Sequence, residues 1–148
     1  MKIEFTKKQF ENLMKLVYLG NWMANSHRTD DEIEKYNELE SYVFSFGKDF
    51  GLEKYVDDEE AGDGEYYPTR FFEEETDVDE LREEYDNEIF WTELAQRLGE
   101  RDFVKKYTKK DWNKMSLVDR FSKRQEWEIK WEEELEENGV ERLEIGEK

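Results

Sequence analysis

Strong negative charge and a high aromatic content occur together in this chain, and the combination limits what it can fold into. The formal net charge is −18, which on its own is typical of disordered or solvating segments. Yet Phe, Tyr and Trp make up 16% of the residues, and these side chains bury the large areas that hold a core together. The single proline, Pro68, leaves long stretches able to form uninterrupted helices. We therefore expect a compact, ordered and strongly acidic helical protein.

The length of the chain and its lack of cysteine narrow the class further. A chain of 148 residues has the size of one domain, so we expect 1–148 to form a single acidic helical domain. Without cysteine there are no disulfides and no thiolate metal sites. No stretch approaches the run of about 18 apolar residues that spans a membrane, and the N-terminal residues lack a signal-peptide pattern. These features predict a soluble, cytoplasmic protein.

Capping patterns and the helical spacing of apolar residues predict a mainly α fold, a bundle of about five helices. Thr6 and Gln9 form a capping box at the start of the first helix, and Ser116 with Asp119 caps the last. Asp86 and Asn87 are expected to break or re-cap the chain between the third and fourth helices. The expected spans are 6–27, 30–50, 70–85, a fourth helix from there to about 107, and 116–139, with a short helical turn at 111–112.

The apolar positions also predict which faces of two helices point inward. The inner side of the second helix is expected to contain Tyr36, Leu39, Val43, Phe46 and Phe50. For the last helix the expected inner residues are Leu117, Val118, Phe121 and Leu135.

Short strands are expected in two places. Segments 2–5 and 141–145 both alternate polar with apolar residues, which favours a two-stranded pairing of the N- and C-terminal segments. Segments 54–56 and 65–67 flank an acidic, glycine-containing turn and form a second candidate hairpin.

Most catalytic and metal-binding chemistry is missing from the sequence. His27 is the one histidine, which excludes multi-histidine zinc and di-iron sites. There is no glycine-rich phosphate loop and no nucleophile elbow. A calcium loop counted from Asp57 needs an oxygen ligand and a glutamate where Ala61 and Pro68 stand. We therefore expect no catalytic residue, no cofactor and no resident metal.

Polar side chains interrupt the apolar faces of three predicted helices. Because buried amides and charges must be partnered, we expect these side chains to meet in one polar layer near one end of the bundle. The layer either fixes helix packing or lines a pocket for an anionic or amide-bearing ligand. Its six members are Asn21, Asn25, Arg28, Arg101, Gln125 and Glu128.

Three more residues are candidates for binding. His27 adjoins the polar layer, and either serves as a cap or surface group or, beside Asp30 or Asp31, as a general base. Trp127 and Trp131 lie four residues apart on one side of the last helix. They either cover the core or present a surface to a partner.

Together these observations predict a small acidic, non-catalytic protein-interaction module. Its negative field repels phosphate backbones and anionic lipids, so we expect no direct binding to nucleic acid or membranes, and a basic protein surface or a second copy as the partner. Two alternatives stay open. One is a Mg²⁺- or Mn²⁺-dependent hydrolase that uses Glu34, Glu38, Glu84 and Glu88, and the other is an acidic nucleic-acid mimic. The motifs assign the chain to no characterised family.

Overall fold

A computed structural model describes residues 3–57 and 64–144, and it is mainly helical, as the sequence predicts. Two short 3₁₀ helices, Gly47–Phe50 and Glu53–Tyr55, and one pair of two-residue strands, β1 (Val56–Asp57) and β2 (Tyr67–Pro68), complete the described part. Within these ranges no helix combines the length and hydropathy that a membrane crossing requires. The α-helices are α1 (Lys7–Asn25), α2 (Glu34–Ser45), α3 (Arg70–Glu75), α4 (Val78–Lys106), α5 (Lys109–Lys114) and α6 (Leu117–Asn138).

The contacts within the chain divide it into two compact units, Met1–Glu83 and Glu84–Lys148. We call them unit 1 and unit 2, and the boundary between them falls inside α4. The expectation of one domain over 1–148 stays a prediction, because compact units of this size occur both as parts of one domain and as separate domains.

The predicted helix starts are confirmed where a side chain caps the first turn. Thr6 accepts a hydrogen bond from the Gln9 amide, and the Gln9 side chain accepts one from the Thr6 amide in return. Thr108 and Asp111 make the same reciprocal pair at the start of α5. Ser116 caps α6 in the predicted way. Each cap satisfies amides that the helix itself leaves without a partner.

Three predicted boundaries differ from the structure. α2 begins at Glu34 rather than Asp30, and its predicted last turn is the 3₁₀ helix that ends at Gly51 in the left-handed conformation. The break predicted at Asp86 and Asn87 is wrong, since α4 runs through both residues. Asn87 is no cap there, because its side chain accepts a hydrogen bond from the Trp91 indole one turn later. The chain breaks instead at 76–77, between α3 and α4.

The strand pair is the hairpin around the acidic loop. β1 and β2 are antiparallel, with Val56 opposite Pro68. The predicted pairing of the chain ends is wrong for its described residues, since 3–5 and 141–144 contain no strand. The amide of Leu143, for example, donates within a turn to the Val140 carbonyl, so it is used locally. Lys2 and Ile145 lie outside the described residues, as does Ala61 of the calcium-loop comparison.

The core of unit 1 is built from rings, as the composition predicts. Phe72 is completely buried and makes edge-to-face contacts with Tyr18, Phe44 and Tyr55, at centroid distances of 5.4, 5.3 and 5.5 Å. Such contacts add about 0.5–1.5 kcal/mol each beyond the area that they bury. The rings come from α1, α2, α3 and a 3₁₀ helix, so a single aromatic cluster ties the elements of unit 1 together.

In unit 2, α4 and α6 approach closely at Gly99. A Cβ atom at this residue would lie 2.9 Å from the backbone nitrogen of Glu128, a distance that only glycine allows. Leu135 is buried as predicted, whereas Leu117, Val118 and Phe121 are exposed and their predicted inward position is wrong. α6 meets α4 through residues 124, 128 and 131, and the exposed positions lie beyond that contact, toward the first turn of α6.

Candidate functional site

The polar residues of α1 join that helix to the start of α2. Asn25 donates to the side-chain oxygens of Asn21 and Asn37, at 2.9 and 3.0 Å. Its own side-chain oxygen accepts a 2.8 Å hydrogen bond from the backbone amide of Ile33, next to α2. The amide group of Asn25 therefore satisfies three neighbours at once, and we call Asn21, Asn25 and Asn37 the amide cluster. Replacing it with apolar groups would leave the Ile33 amide without this partner.

Arg28 and His27 follow directly after α1. The Arg28 Nε donates to the Ala24 carbonyl at 2.9 Å, and its Nη1 lies 2.6 Å from the Asp31 carboxylate. The guanidinium therefore satisfies a free carbonyl at the C-terminal end of α1 and is neutralised locally. His27 is exposed, beside Arg28 at one end of a surface groove.

A carboxyl group lies half-buried beside the amide cluster. Burial raises the pKa of Glu40 to about 7; a hydrogen bond from Asn21 opposes this effect, and the charge of Glu73 adds to it. Glu40 lines a polar cavity of about 400 Å³, together with Ser41 and Tyr66. The Ser41 hydroxyl accepts a 2.8 Å hydrogen bond from the Tyr66 amide, which connects α2 to the segment before β2. The Glu40 carboxyl group therefore changes its protonation state near neutral pH.

A second polar network lies where α1, α3 and the start of α4 meet. The Tyr18 hydroxyl donates a short hydrogen bond to Glu73 and accepts one from Arg82. Arg82 also pairs with Asp79 at 3.0 Å and lies over the ring of Trp22 at 5.2 Å. Burial and the hydrogen bond to Glu73 both raise the pKa of Tyr18. The arrangement connects α1, α3 and the start of α4, and it leaves the buried Arg82 Nε without a hydrogen-bond partner.

An apolar groove runs between α1 and α2. Leu16 and Met23 from α1 and Tyr36 and Leu39 from α2 line it, and all four are exposed. Gly20 lies among them, and a Cβ there would meet no atom within 4 Å. The groove has a volume of about 650 Å³, and we call it the α1–α2 groove. Asn21, His27 and Arg28 are polar residues of its lining.

The groove exists because α2 turns a different face inward from the one predicted. Val43 is buried, as predicted, together with Phe44, and Glu40 lies one turn before them. Tyr36 and Leu39 lie to the side of that face, so their predicted inward position is wrong. When apolar residues cover a wide sector of a helix, their pattern defines the buried face only to within about one residue, or about 100° of rotation about the helix axis.

The other predicted site residues belong to unit 2. Arg101 is exposed, pairs with the adjacent Asp102 at 2.9 Å and lies over the Trp131 ring at 5.4 Å. The Trp131 indole donates to Asp102 at 3.0 Å. These two contacts lower the pKa of Asp102, the one with Arg101 more strongly. Gln125 is exposed, and Glu128 lies against Gly99.

Trp127 and Trp131 border a small cavity of about 270 Å³ on unit 2. Both indoles are half-buried, and each has a cation of the chain over its ring; for Trp127 this is Lys130, at 4.5 Å. The partner surface predicted at these residues stays a prediction. So does a single polar layer, because Asn21, Asn25 and Arg28 belong to unit 1 and its other members to unit 2.

The carboxylates of the hydrolase alternative are all exposed, with Glu34 and Glu38 in unit 1 and Glu84 and Glu88 in unit 2. Among residues 3–57 and 64–144, no group of three or more Asp, Glu or His side chains is arranged to hold a metal ion. The hydrolase and the nucleic-acid mimic both stay predictions.

Sequence reasoning missed Glu40, the Tyr18 network and the α1–α2 groove. The signal for Glu40 was its position one turn before Val43 on α2.

Comparison of the chain with protein-family models, with curated proteins and with solved structures gives no match.

Proposed function

We propose that the chain is a small acidic protein-interaction module without catalytic activity, and that the α1–α2 groove is the surface it offers to a partner. The observation that carries this proposal is the exposure of large apolar side chains on both walls of one groove. Leu16 is 68% exposed and Leu39 is 49% exposed. Contiguous apolar surface of this kind is typical of protein-binding sites, since covering it gains about 25 cal/mol for each Å² removed from water.

The occupant that fits this groove is a basic amphipathic helix of another protein. Ile33 and Tyr36 line the groove, and the segment 30–38 that contains them carries five carboxylates, at Asp30, Asp31, Glu32, Glu34 and Glu38, against one cation. Asp31 is paired with Arg28, and Glu32 and Glu34 border the polar cavity beside Glu40. The whole chain adds a net charge of −18. A helix with one apolar stripe and flanking Lys or Arg residues matches both the floor and the charge of the groove.

Titration with a defined peptide tests this proposal. The probe is a synthetic amphipathic helix of Leu and Lys, and the control peptide has the same composition in scrambled order. Amide shifts followed by NMR are expected to saturate around Leu16, Gly20 and Leu39 with the helix only. Leu39→Asp should weaken binding by about tenfold or more, because it places a charge in the apolar contact.

The matched control is Tyr42→Asp, on the same helix at a residue that is 63% exposed and does not line the groove. Equal shifts with the scrambled peptide, or equal affinity of the Leu39→Asp and Tyr42→Asp variants, would show that charge alone drives the contact and would refute a groove-directed function.

The proposal also includes a cytoplasmic location and partners that are neither nucleic acids nor membranes. Its support is the absence of cysteine, which suits a reducing compartment, and the negative charge, which opposes contact with phosphate groups.

A further inference from the structure

One segment of this acidic chain is strongly basic. Residues 105–124 contain eight Lys and Arg and two Asp, a net charge of +6 in a chain whose total is −18. Lys106, Lys109 and Lys110 are exposed. The overall composition hides this segment, because the remaining residues outweigh it several times.

Contacts bring the basic segment together at one end of unit 2. The Phe103 ring, near the end of α4, lies 5.7 Å from the Trp112 ring of α5. Arg120 of α6 donates to the Trp112 carbonyl at 2.7 Å, and Arg124 pairs with Glu100 of α4 at the same distance. The end of α4, α5 and the start of α6 are therefore packed on one another. We call residues 105–124 the basic end.

The basic end also carries three of the most exposed large apolar side chains among the described residues. Leu117 is 80% exposed, Val118 75% and Phe121 68%, all within the first turns of α6. Phe121 lies one turn after Leu117 and Val118, so the three share one side of the helix. Three large apolar side chains left this open, in a segment rich in Lys and Arg, mark a contact surface rather than a solvated face.

A groove of opposite character lies on the same unit. Trp91 of α4 and Leu135 of α6 form its apolar lining, and Glu88, Glu132 and Glu136 supply its charge. Its volume is about 620 Å³. These residues belong to the acidic half of α6 and the facing part of α4, since residues 126–137 contain seven Glu and one Lys. We call this the acidic groove.

We propose that the basic end of one copy binds the acidic groove of a second copy, so that the chain associates head to tail. Leu117, Val118 and Phe121 cover the apolar lining formed by Trp91 and Leu135, and the surrounding Lys and Arg residues face the three carboxylates. Both components of the contact, apolar and charged, find their complement on the same chain. A nucleic acid would satisfy the cations but would leave the apolar side chains uncovered.

The contact is heterologous, because two different surfaces meet, and each bound copy still presents one free surface of each kind. Association therefore continues beyond the dimer unless a ring closes. The net charge of −18 opposes it at low ionic strength over long distances, whereas the local pairs act at contact. At physiological salt the screening length is about 8 Å, so the long-range repulsion is largely screened and the local complementarity dominates.

Mixing two disabled variants of the full chain tests the proposal. Phe121→Asp disables the basic end and leaves the acidic groove intact. The double variant Glu132→Lys/Glu136→Lys disables the groove and leaves the basic end intact. Sedimentation velocity at about 0.15 M salt should show wild type growing with concentration and each variant alone as a monomer. An equimolar mixture of the two variants should form heterodimers with one chain of each variant, because one productive contact remains.

Controls separate this contact from other effects. Asp49→Lys/Glu53→Lys makes the same charge change on exposed residues of unit 1 that line neither groove, and this variant should associate at least as well as wild type. Lys109→Glu/Lys110→Glu is a second variant of the basic end that leaves its apolar residues in place, and it should reduce association at least about tenfold. Circular dichroism of every variant should match that of wild type.

Two results would overturn the proposal. The first is a wild-type chain that stays monomeric at all concentrations, and the second is a mixture of the two disabled variants that stays monomeric. If a monomeric wild type also binds a random-sequence DNA duplex through its basic end, as followed by fluorescence anisotropy, the segment serves nucleic acid and not a second copy. None of these results bears on the α1–α2 groove, which lies in unit 1.

Discussion

Glu40→Gln tests whether the fold of unit 1 is weakened by a carboxyl group that ionises near neutral pH. Burial raises the pKa of Glu40 to about 7, from an ordinary value of 4.5. A carboxyl whose pKa is higher in the folded chain binds its proton more tightly there than in the unfolded chain. Its contribution to stability is therefore present below the unfolded pKa and is lost as the pH rises through the folded pKa. The window runs from about pH 4.5 to just above pH 7.

The size of the effect follows from the difference between the two pKa values. One pKa unit corresponds to about 1.4 kcal/mol, so the difference between 4.5 and about 7 corresponds to about 3 kcal/mol. The amide of glutamine matches the neutral carboxyl in size and stays uncharged. Near pH 4.5 the free energy of unfolding of the Glu40→Gln variant should lie within about 1 kcal/mol of the wild-type value. Near pH 8 it should exceed the wild-type value by about 3 kcal/mol.

Urea unfolding of both proteins between these pH values measures the difference, and a carbon NMR titration of the carboxyl gives its pKa directly. Glu38→Gln is the matched control, because it removes the same charge from an exposed residue of the same helix. Its difference from wild type should be small and nearly independent of pH. If Glu40→Gln behaves like Glu38→Gln, burial does not hold the proton on Glu40 and the reasoning is wrong.

Two pairs of substitutions test the packing. Gly99→Ala should destabilise unit 2 by about 1–3 kcal/mol in thermal unfolding, because its Cβ would lie 2.9 Å from the Glu128 backbone nitrogen. Gly20→Ala, which places the same methyl group in open space within α1, should instead stabilise by about 0.5–1 kcal/mol, and equal effects at both glycines would contradict the close approach. Phe72→Ala should cost about 3–5 kcal/mol in urea unfolding because it empties the centre of the aromatic core. The neighbouring Phe71→Ala, at a residue that is 41% exposed, should cost about 1 kcal/mol, and a similar loss at both would mean that Phe72 is not the centre of the core.

Helix starts could be predicted from the sequence because their cause is local. Thr6 and Gln9, or Ser116 and Asp119, satisfy free amides within one turn, so the pattern alone decides the structure. The same residue types misled at Asn87, where an exposed helix interior tolerates an amide whose side chain finds another partner. A cap pattern therefore predicts a helix start only where no neighbouring helical residue offers the side chain an alternative.

Helix faces and polar partners could not be predicted in the same way. Apolar residues surround most of α2, so the choice between a face with Leu39 and one with Phe44 depends on which elements pack against it. Asn25 was found because an amide on an apolar face must be partnered. Its partners, Asn37 and the Ile33 amide, become neighbours only through the turn between the helices. The basic end could have been predicted by counting the charges of residues 105–124 alone. The net charge of the whole chain conceals this local excess of Lys and Arg.

The close approach at Gly99 limits how far α4 and α6 can move along one another. No side chain separates the two backbones there, so shifting α4 by one turn would replace Gly99 at the contact with a residue that has a side chain, such as Phe103, and would push the pair apart. The close packing at this glycine therefore opposes movement of one helix along the axis of the other. Glu88 on α4 and Glu132 on α6 both line the acidic groove, so the register that Gly99 allows between the two helices also sets the spacing of these carboxylates.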